Sequence, residues 1–274
     1  MTIINNTFKL IETIGNGNFG KVYVANNIRT HEKVAIKMES INNSNNLIKR
    51  EASILNYLYR NNVNCIPKLY YYGVTDKSSC IILTLFSCNL LEYVKNNNMT
   101  NDDLYILMSN CIKNLQKIHD KNVLHRDIKP QNFMIHNNDI YLIDFGFAYF
   151  YKDENGIHDN KETKNIIGSV RYTSYFNHIG EPSSRRDDLL SLGYMFLFLL
   201  EDYLIWDTTN ITFPETNYEI TSIYHPKNEY IKNKKTLSSL KSFCNNKMIS
   251  YFNHIYNLKT TSEPNYDYLI NLFL

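Results

Sequence analysis

The sequence has few cysteines, and their spacing suits neither cross-links nor metal sites. Its five cysteines are odd in number among 274 residues and include no C-x-x-C pair. This pattern favours free thiols in a reducing compartment over a disulfide framework. The eight histidines show no zinc-binding spacing either. These absences argue against a disulfide-rich secreted domain and against a zinc module.

Long hydrophobic runs, a secretion signal and a strong net charge are also missing. The longest apolar run, 192–200, is far shorter than the roughly 20 residues that cross a bilayer, so it predicts a buried helix. The first residues lack the basic and apolar regions of a signal peptide. A formal charge of +2 is too small to indicate nucleic acid as the main partner. We therefore expect a monomeric, cytoplasmic protein that binds neither membranes nor nucleic acid, with entry into the nucleus left open.

What the sequence does contain is a set of four short segments in a fixed order. They are IGNGNFGKV at 14–22, VAIK at 34–37, HRDIKPQN at 125–132 and DFG at 144–146. A glycine-rich turn alone is common, and the dinucleotide-binding fingerprint looks similar. Here a strand with a lysine follows it, and no long βαβ unit does. The four segments together resemble the signature of the protein kinases.

Each segment supplies residue types that phosphoryl transfer requires. The carboxylate of Asp127 can orient the attacking hydroxyl, while Lys129 neutralises the γ-phosphate of ATP. Asn132 and Asp144 provide the hard oxygen ligands that Mg²⁺ prefers. Lys37 reaches the α- and β-phosphates. ATP and Mg²⁺ are therefore the expected cofactors.

A lysine placed among apolar residues keeps its charge only beside a carboxylate, so Lys37 needs an acidic partner. The apolar spacing predicts a helix over 47–59 and puts Glu51 on its inward face. Glu39 is the alternative. It follows Lys37 by two residues on the same strand, and we expect it to point to solvent or to mark the end of the strand. The pattern favours Glu51.

Two parts of the chain have different periodicities. Residues 1–85 alternate short apolar strands with one helix, whereas 86–274 are mainly helical. Thr100 and Asp103 form a capping box before a long amphipathic helix. A strand at 139–143 delivers Asp144, and 188–200 reads as a central buried helix. The pattern predicts an α+β, two-lobed fold with a small β-rich N-terminal lobe, a larger helical C-terminal lobe and the ATP site between them.

Three further segments make the resemblance more specific. These are GSVRYTS at 168–174, SRRDDLLSLGY at 184–194 and EPNYDYL at 263–269. Together they resemble the casein kinase I family, which, like this chain, lacks an Ala-Pro-Glu element. The vaccinia-related kinases are the neighbouring branch, but they usually carry Gly where this chain has Arg126. Gln131 replaces the usual Asp, and 174–176 read Ser-Tyr-Phe instead of Ser-Ile-Asn.

The resemblance implies the residues that contact the nucleotide. The glycines belong to the loop over the phosphates, and Leu83 and the backbone of Leu85 are expected to meet the adenine at the rear of the cleft. The remaining apolar residues should cover the two faces of the ring. The full set is Ile14, Gly15, Gly17, Gly20, Val22, Ala35, Lys37, Leu83, Leu85, Met134 and Ile143.

The resemblance also implies a type of substrate. Casein kinase I enzymes favour Ser or Thr downstream of an acidic or phosphorylated residue. By alignment, the basic residues that read this anion correspond to Lys164, Arg171 and Lys227. A guanidinium and two ammonium groups suit a phosphate dianion. The alternative is that these lysines are ordinary solvated charges.

Other functions remain open at this point. A pseudokinase or scaffold module would keep the fold without turnover, and a vaccinia-related type of kinase would act on different substrates. A small-molecule phosphotransferase of related fold shares the H-x-D-x-x-x-x-N loop. It is not expected to carry the DFG segment or the Arg-Arg-Asp-Asp run at 185–188.

Overall fold

The first part of the chain forms an antiparallel sheet with one helix packed against it. A computed structural model describes residues 2–17, 20–40, 47–75, 77–207 and 221–274. The strands are β1 Ile3–Ile4, β2 Phe8–Gly17, β3 Gly20–Asn27, β4 Lys33–Ser40, β5 Leu69–Val74 and β6 Ser78–Thr84, and the helix is α1 Leu47–Arg60. Their spatial order is β1-β2-β3-β4-β6-β5.

The register of this sheet separates two faces. Val22 lies opposite Lys37, and Ala35 lies opposite Leu83, so these residues share one face. The alternate residues of the same strands, such as Ile36, pack into a small core on the other face. Because Lys37 belongs to the first face, that face is the one directed at the second part of the chain.

The second part is mainly helical in the described residues. Its helices are α2 Leu90–Asn96, α3 Asn101–His119, α4 Tyr175–His178, α5 Arg185–Glu201, α6 Pro226–Lys234, α7 Leu237–Lys241, α8 Asn246–Tyr256 and α9 Tyr266–Asn271. Short strands complete it: β7 Cys88–Asn89, β8 Val123–Leu124, β9 Phe133–His136, β10 Asp139–Leu142, β11 Tyr149–Phe150, β12 Asn165–Ile166 and β13 Thr221–Ser222. Single 3-10 turns occur at Pro130–Asn132 and Phe145–Phe147.

Local sequence explains where the two long helices begin. Asp103 donates its backbone N–H to Thr100 Oγ1 at 3.2 Å and accepts the Thr100 N–H at 2.8 Å, as the capping box predicts. Helix α5 begins at Arg185, three residues before the predicted start at 188. It does so because Ser184 donates its N–H and its hydroxyl to Asp187 and so starts the helix earlier.

The observed arrangement is α+β with a small sheet-rich lobe and a larger helical lobe, as the sequence predicts. The expected boundary after Leu85 falls between β6 and β7. None of the helices in the described part of the chain is long and apolar enough to cross a bilayer. The same residues contain no group of three or more His, Cys, Asp or Glu side chains placed to hold a metal ion.

Candidate active site

Lys37 lies at the centre of an ion-pair network between the two lobes. Its Nζ lies 2.8 Å from Oε2 of Glu51 on α1 and 2.7 Å from Oδ1 of Asp144. The other oxygen of Glu51 accepts the backbone N–H of Phe145 at 3.3 Å. Strand β4, helix α1 and the DFG segment are therefore joined at one point, with Glu51 as the partner that the helical spacing favours.

Glu39 does not point to solvent; it lies one residue before the end of β4, which is the other position expected for it. Its exposed fraction is 3%, and it accepts the backbone N–H of Ile48 at 3.2 Å, at the start of α1. Residues two apart on a strand share a face, so Glu39 follows Lys37 inward. Its Oε1 is buried and has no hydrogen-bond partner among the described residues.

The network keeps Lys37 and Asp144 charged. Burial opposes the charge on Lys37, but the carboxylates of Asp144 and Glu51 outweigh it and raise the Lys37 pKa above its ordinary value. Burial also opposes ionisation of Asp144, yet Lys37 and Lys129 hold the Asp144 pKa below its usual range. At Glu51 burial is the largest effect and raises the pKa. An ionised Asp144 is the form that a cation requires.

Asp127 is held by contacts on both of its carboxylate oxygens. Oδ1 accepts the backbone N–H of Ser169 at 2.9 Å and its hydroxyl at 2.8 Å. Oδ2 lies 3.0 Å from Nζ of Lys129 and accepts the amide N–H of Asn132 at 2.9 Å. All four side chains come from two segments, 127–132 and 168–169. The carboxylate is thus fixed in place beside a lysine.

Asp127 lies on the loop 125–132, here called the catalytic loop, which is anchored by a buried carboxylate on α5. Asp188 accepts the backbone N–H of His125 at 2.8 Å and that of Arg126 at 2.9 Å. His119 lies 3.0 Å from the same carboxylate through Nε2. Arg126 has φ +65°, an uncommon conformation for a residue with a side chain. The two hydrogen bonds to Asp188 stabilise this turn of the backbone.

His125 braces the loop that carries Asp127. Its Nε2 lies 2.9 Å from the carbonyl oxygen of Ile143, and its Nδ1 accepts the N–H of Asp127 at 3.3 Å. The ring also meets Phe145 edge to face at 4.8 Å. His125 therefore joins the catalytic loop to the DFG segment, with both ring nitrogens engaged.

Gly168 lets the segment with Ser169 approach the catalytic loop. Its φ is +84°, and a Cβ at this position would lie 2.2 Å from the carbonyl oxygen of Arg126 and 3.2 Å from Oδ1 of Asp127. Only glycine fits so close an approach of two backbones. Without it, Ser169 could not reach Asp127.

Several of the expected nucleotide residues lie on the face of the sheet that carries Lys37. Gly15 lies opposite Val22, Gly17 opposite Gly20 and Ala35 opposite Leu83. Asn18 and Phe19, between Gly17 and Gly20 in the sequence, lie outside the described residues. Leu85 follows the last residue of β6, while Met134 lies on β9 and Ile143 just after β10.

Ile14 is placed less favourably than its neighbours for contact with a nucleotide. It falls at a register shift between β2 and β3, where Thr13 pairs with Tyr23 and Gly15 with Val22. Such a bulge leaves one residue unpaired and redirects its side chain. Ile14 is 53% exposed.

The three basic residues expected to bind a substrate anion have different surroundings. Lys164 and Lys227 are both exposed. The carbonyl oxygen of Lys164 accepts the N–H of Ile223 at 3.0 Å. Lys164, just before β12, therefore lies beside the segment that precedes α6. Arg171 is half-buried, and its Nε donates to Oδ1 of Asp207 at 3.0 Å. The lysines face solvent, whereas the arginine is paired with an acid of the same chain.

The Arg-Arg-Asp-Asp run at 185–188 is entirely buried. Its arginines tie α5 to the end of the chain: Arg185 donates to the carbonyl of Ser262 at 3.0 Å, and Arg186 to that of Leu258 at 3.2 Å. Of the two aspartates, Asp187 caps the start of α5 and Asp188 anchors the loop that carries Asp127. Four adjacent charged side chains can be buried only because each has a hydrogen-bond partner that replaces its water.

The chain matches the family model of the protein kinase domain over residues 8–257. It therefore belongs to the protein kinase family, and its architecture is the two-lobed kinase fold. The match covers most of the chain, including the Lys37–Glu51 pair and both segments around Asp127. Membership makes the protein a phosphotransferase, and the family implies the use of ATP.

Three residues of the site could not be assigned a role from the sequence. The sequence places Ser169 in a family segment and makes it a candidate for regulatory phosphorylation, but it does not predict the two contacts that Ser169 makes to Asp127. The sequence shows Asp188 as part of the Arg-Arg-Asp-Asp run at 185–188 but does not indicate that it anchors the loop. Nothing in the sequence points to Asp207. The one available signal was at Asp188, where a charge precedes a helix that is apolar on all sides.

Proposed function

We propose that this protein is a serine/threonine kinase of the casein kinase I type that transfers the γ-phosphate of ATP to acidic or phosphoprimed proteins. The geometry of Asp127 carries the proposal. Ser169 and Asn132 fix its carboxylate, and the Lys129 ammonium lies 3.0 Å away. A carboxylate held in this way can orient a hydroxyl and accept its proton, while the ammonium neutralises the phosphate.

Asn132 and Asp144 fit Mg²⁺ as the companion of ATP. The amide nitrogen of Asn132 donates to Asp127, which leaves the amide oxygen, a hard donor of the kind Mg²⁺ prefers. Ile143 donates its N–H to the carbonyl of Asn132 at 2.9 Å, so the residue before Asp144 is bonded to Asn132. Bound Mg²⁺ would neutralise charge on the phosphates, and Lys37 would hold the α- and β-phosphates.

The assignment to the casein kinase I type is supported by how the chain uses its family-specific run. The four charged residues at 185–188 are buried, and each has a partner in the fold. Ser174 donates its hydroxyl to Asp187 and so fixes the segment that follows Ser169. The run thus supports the substrate-binding side of the cleft as well as α5.

The preference for acidic substrates is proposed from exposed positive charge beside this segment. Lys164 and Lys227 face solvent near the backbone contact between 164 and 223, and Arg171 lies on the segment next to Ser169. We propose that a phosphate upstream of the acceptor hydroxyl binds in this region. Charge-assisted hydrogen bonds of this kind contribute about 1.5–3 kcal/mol each.

A peptide array with matched pairs tests the proposal. Each pair contains the same Ser or Thr acceptor, with and without a phosphoserine upstream. We expect transfer to Ser and Thr, a preference for the primed peptide, and at least about a tenfold selective loss of that preference in Arg171→Ala/Lys227→Ala. Lys259→Ala, another exposed lysine, is the control. Wild-type transfer to tyrosine alone, or to no peptide at all, would refute the proposed function.

We also propose that the protein works as a monomer in the cytoplasm, with protein substrates as its partners. The five cysteines are all unpaired, which suits a reducing compartment. Size-exclusion chromatography with light scattering should give the mass of one chain. A mass of two chains at micromolar concentration would contradict the proposal.

A further inference from the structure

Lys235 is a fully buried lysine just after α6, with an exposed fraction of 0%. It forms no ion pair with any described residue. Burying an ammonium without a carboxylate is costly unless other groups replace its water. The groups that replace this water around Lys235 indicate the role of its side chain.

Two backbone carbonyls receive the N–H groups of Lys235. Its Nζ lies 3.0 Å from the oxygen of Val170 and 2.6 Å from that of Thr173. His178 adds a third polar contact, at 3.1 Å through Nε2. The rings of Trp206 and Tyr194 lie 4.9 Å and 5.1 Å from Nζ and enclose the rest of the group.

The hydrogen bonds do not depend on the charge of the lysine. Burial lowers the pKa of Lys235 well below its ordinary value. Both the ammonium and the neutral amine have at least two N–H groups, so either form can donate to the two carbonyls. Either protonation state of Lys235 can therefore donate to Val170 and Thr173.

Both carbonyls belong to one tight turn. The carbonyl oxygen of Ser169 accepts the N–H groups of Tyr172 at 2.9 Å and Thr173 at 3.0 Å. The carbonyl of Arg171, between the two that Lys235 holds, accepts the indole N–H of Trp206 at 2.9 Å. The turn at 169–173 is thus held from its outer side at three carbonyls. On its inner side it presents Ser169 to Asp127.

We infer that Lys235 is a positioning residue for substrate phosphorylation, which acts by holding the 169–173 turn so that Ser169 keeps Asp127 in place. The inference rests on the proposed function, in which Asp127 orients the acceptor hydroxyl. A hydroxyl that reaches Asp127 must pass beside the 169–173 turn, because Ser169 occupies one side of the carboxylate. Movement of the turn therefore affects both peptide binding and the orientation of the base.

The neighbouring residue provides a matched control. Lys234 is exposed and is the last residue of α6, so Lys234→Met and Lys235→Met remove an amino group from adjacent positions. Methionine has nearly the volume of lysine and suits a site lined by aromatic rings. Lys235→Gln restores N–H donors without the charge, and it should recover part of the lost function.

The test measures steady-state kinetics with peptide and with ATP for these variants. For Lys235→Met we expect the KM for peptide to rise and kcat to fall by about tenfold each, because two carbonyls lose their donor. The KM for ATP should stay within about twofold, since the nucleotide residues lie elsewhere. Lys234→Met should match the wild type. A purely structural role would instead lower the active fraction and leave both KM values unchanged.

Hydrogen exchange provides a second measurement that needs no activity. The amides of Tyr172 and Thr173 should exchange faster in Lys235→Met and at the wild-type rate in Lys234→Met. Wild-type peptide KM and wild-type exchange in Lys235→Met would overturn the inference, and so would failure of both Lys235 variants to fold. An inactive wild type that still shows the exchange difference would refute the proposed function and leave only the holding of the 169–173 turn by Lys235.

Discussion

Arg171 is paired with Asp207 through both arms of its guanidinium group. Its Nε donates to Oδ1 at 3.0 Å, and one terminal nitrogen contacts Oδ2. The guanidinium carbon also lies 4.2 Å from the centre of the Phe198 ring. A carboxylate of the chain thus occupies the fork that a substrate phosphate would use. Asp207 and an acidic substrate are expected to compete for Arg171.

Replacing Asp207 by Asn should strengthen the preference for primed peptides. The amide removes the competing charge but keeps an oxygen to accept the N–H of Leu204, which Asp207 now accepts at 2.9 Å. The KM for a phosphoprimed peptide should fall by up to about tenfold, while that for its unprimed partner stays unchanged. Glu201→Gln, at an exposed acid, controls for charge. Equal changes on both peptides would show that Asp207 does not compete with substrate.

The two buried glutamates near Lys37 should differ in their effect on catalysis. Glu51→Gln removes a charge 2.8 Å from Lys37 and should lower kcat by at least about tenfold through misplaced phosphates. Glu39→Gln changes a residue that contacts the backbone of Ile48 and not Lys37, so its kcat should remain near the wild-type value. Steady-state assays at saturating ATP measure both. Comparable losses would mean that burial, not the ion pair, determines the effect.

A methyl group at Gly168 should separate Ser169 from Asp127. Gly168→Ala places a Cβ 2.2 Å from the Arg126 carbonyl, and a displacement of about 1 Å there should lower kcat about 100-fold. Gly156 also has positive φ, but a Cβ there meets nothing within 4 Å. Gly156→Ala should therefore cost only the backbone strain of about 1–2 kcal/mol and leave kcat unchanged. Equal kcat values in the two variants would contradict the close approach.

Stability in acid should depend on Asp188. Burial would raise the pKa of Asp188, but hydrogen bonds from His119 and from the backbone of His125 outweigh it and lower the pKa. Its stabilising contribution is present above the ordinary pKa of about 4 and is lost as the pH falls through the lowered value. Asp188→Asn should therefore reduce the free energy of unfolding by about 3 kcal/mol at pH 7, and the difference from wild type should shrink in acid.

Urea titrations at a series of pH values measure how the free energy of unfolding depends on pH. Asp187 provides the contrasting case. Burial raises the pKa of Asp187, so its protonation favours the folded state. The difference between the wild type and Asp187→Asn should not shrink as the pH falls. If the Asp188 variant shows the same trend as the Asp187 variant, Asp188 does not stabilise the fold as a carboxylate.

Local patterns predicted the parts of the site that depend on local structure. The pairing of Lys37 with Glu51 follows from helical spacing, since only one acid lies on the inward face of 47–59. The capping box at Thr100 is a contact over three residues, which sequence specifies directly. The burial of Glu39 is also readable from the sequence, because the strand period of two residues places it on the same face as Lys37.

The remaining contacts join residues that no period relates. Ser169 lies 42 positions from Asp127, Asp188 lies 62 from Arg126, and Lys235 lies 65 from Val170. A pattern shows which face of an element is buried but not which distant backbone it meets. Tertiary packing alone sets these partners, so the supports of the catalytic loop could not be read from the sequence.

The most direct test follows the γ-phosphate of ATP onto protein. Purified wild type is incubated with labelled ATP, Mg²⁺ and casein, and the labelled amino acids are identified after hydrolysis. The label should appear on serine and threonine, and Asp127→Asn should lose at least about 100-fold in rate while it still binds ATP. Residual activity of Asp127→Asn within about tenfold of wild type, or no transfer by wild type that binds ATP, would contradict the assigned mechanism.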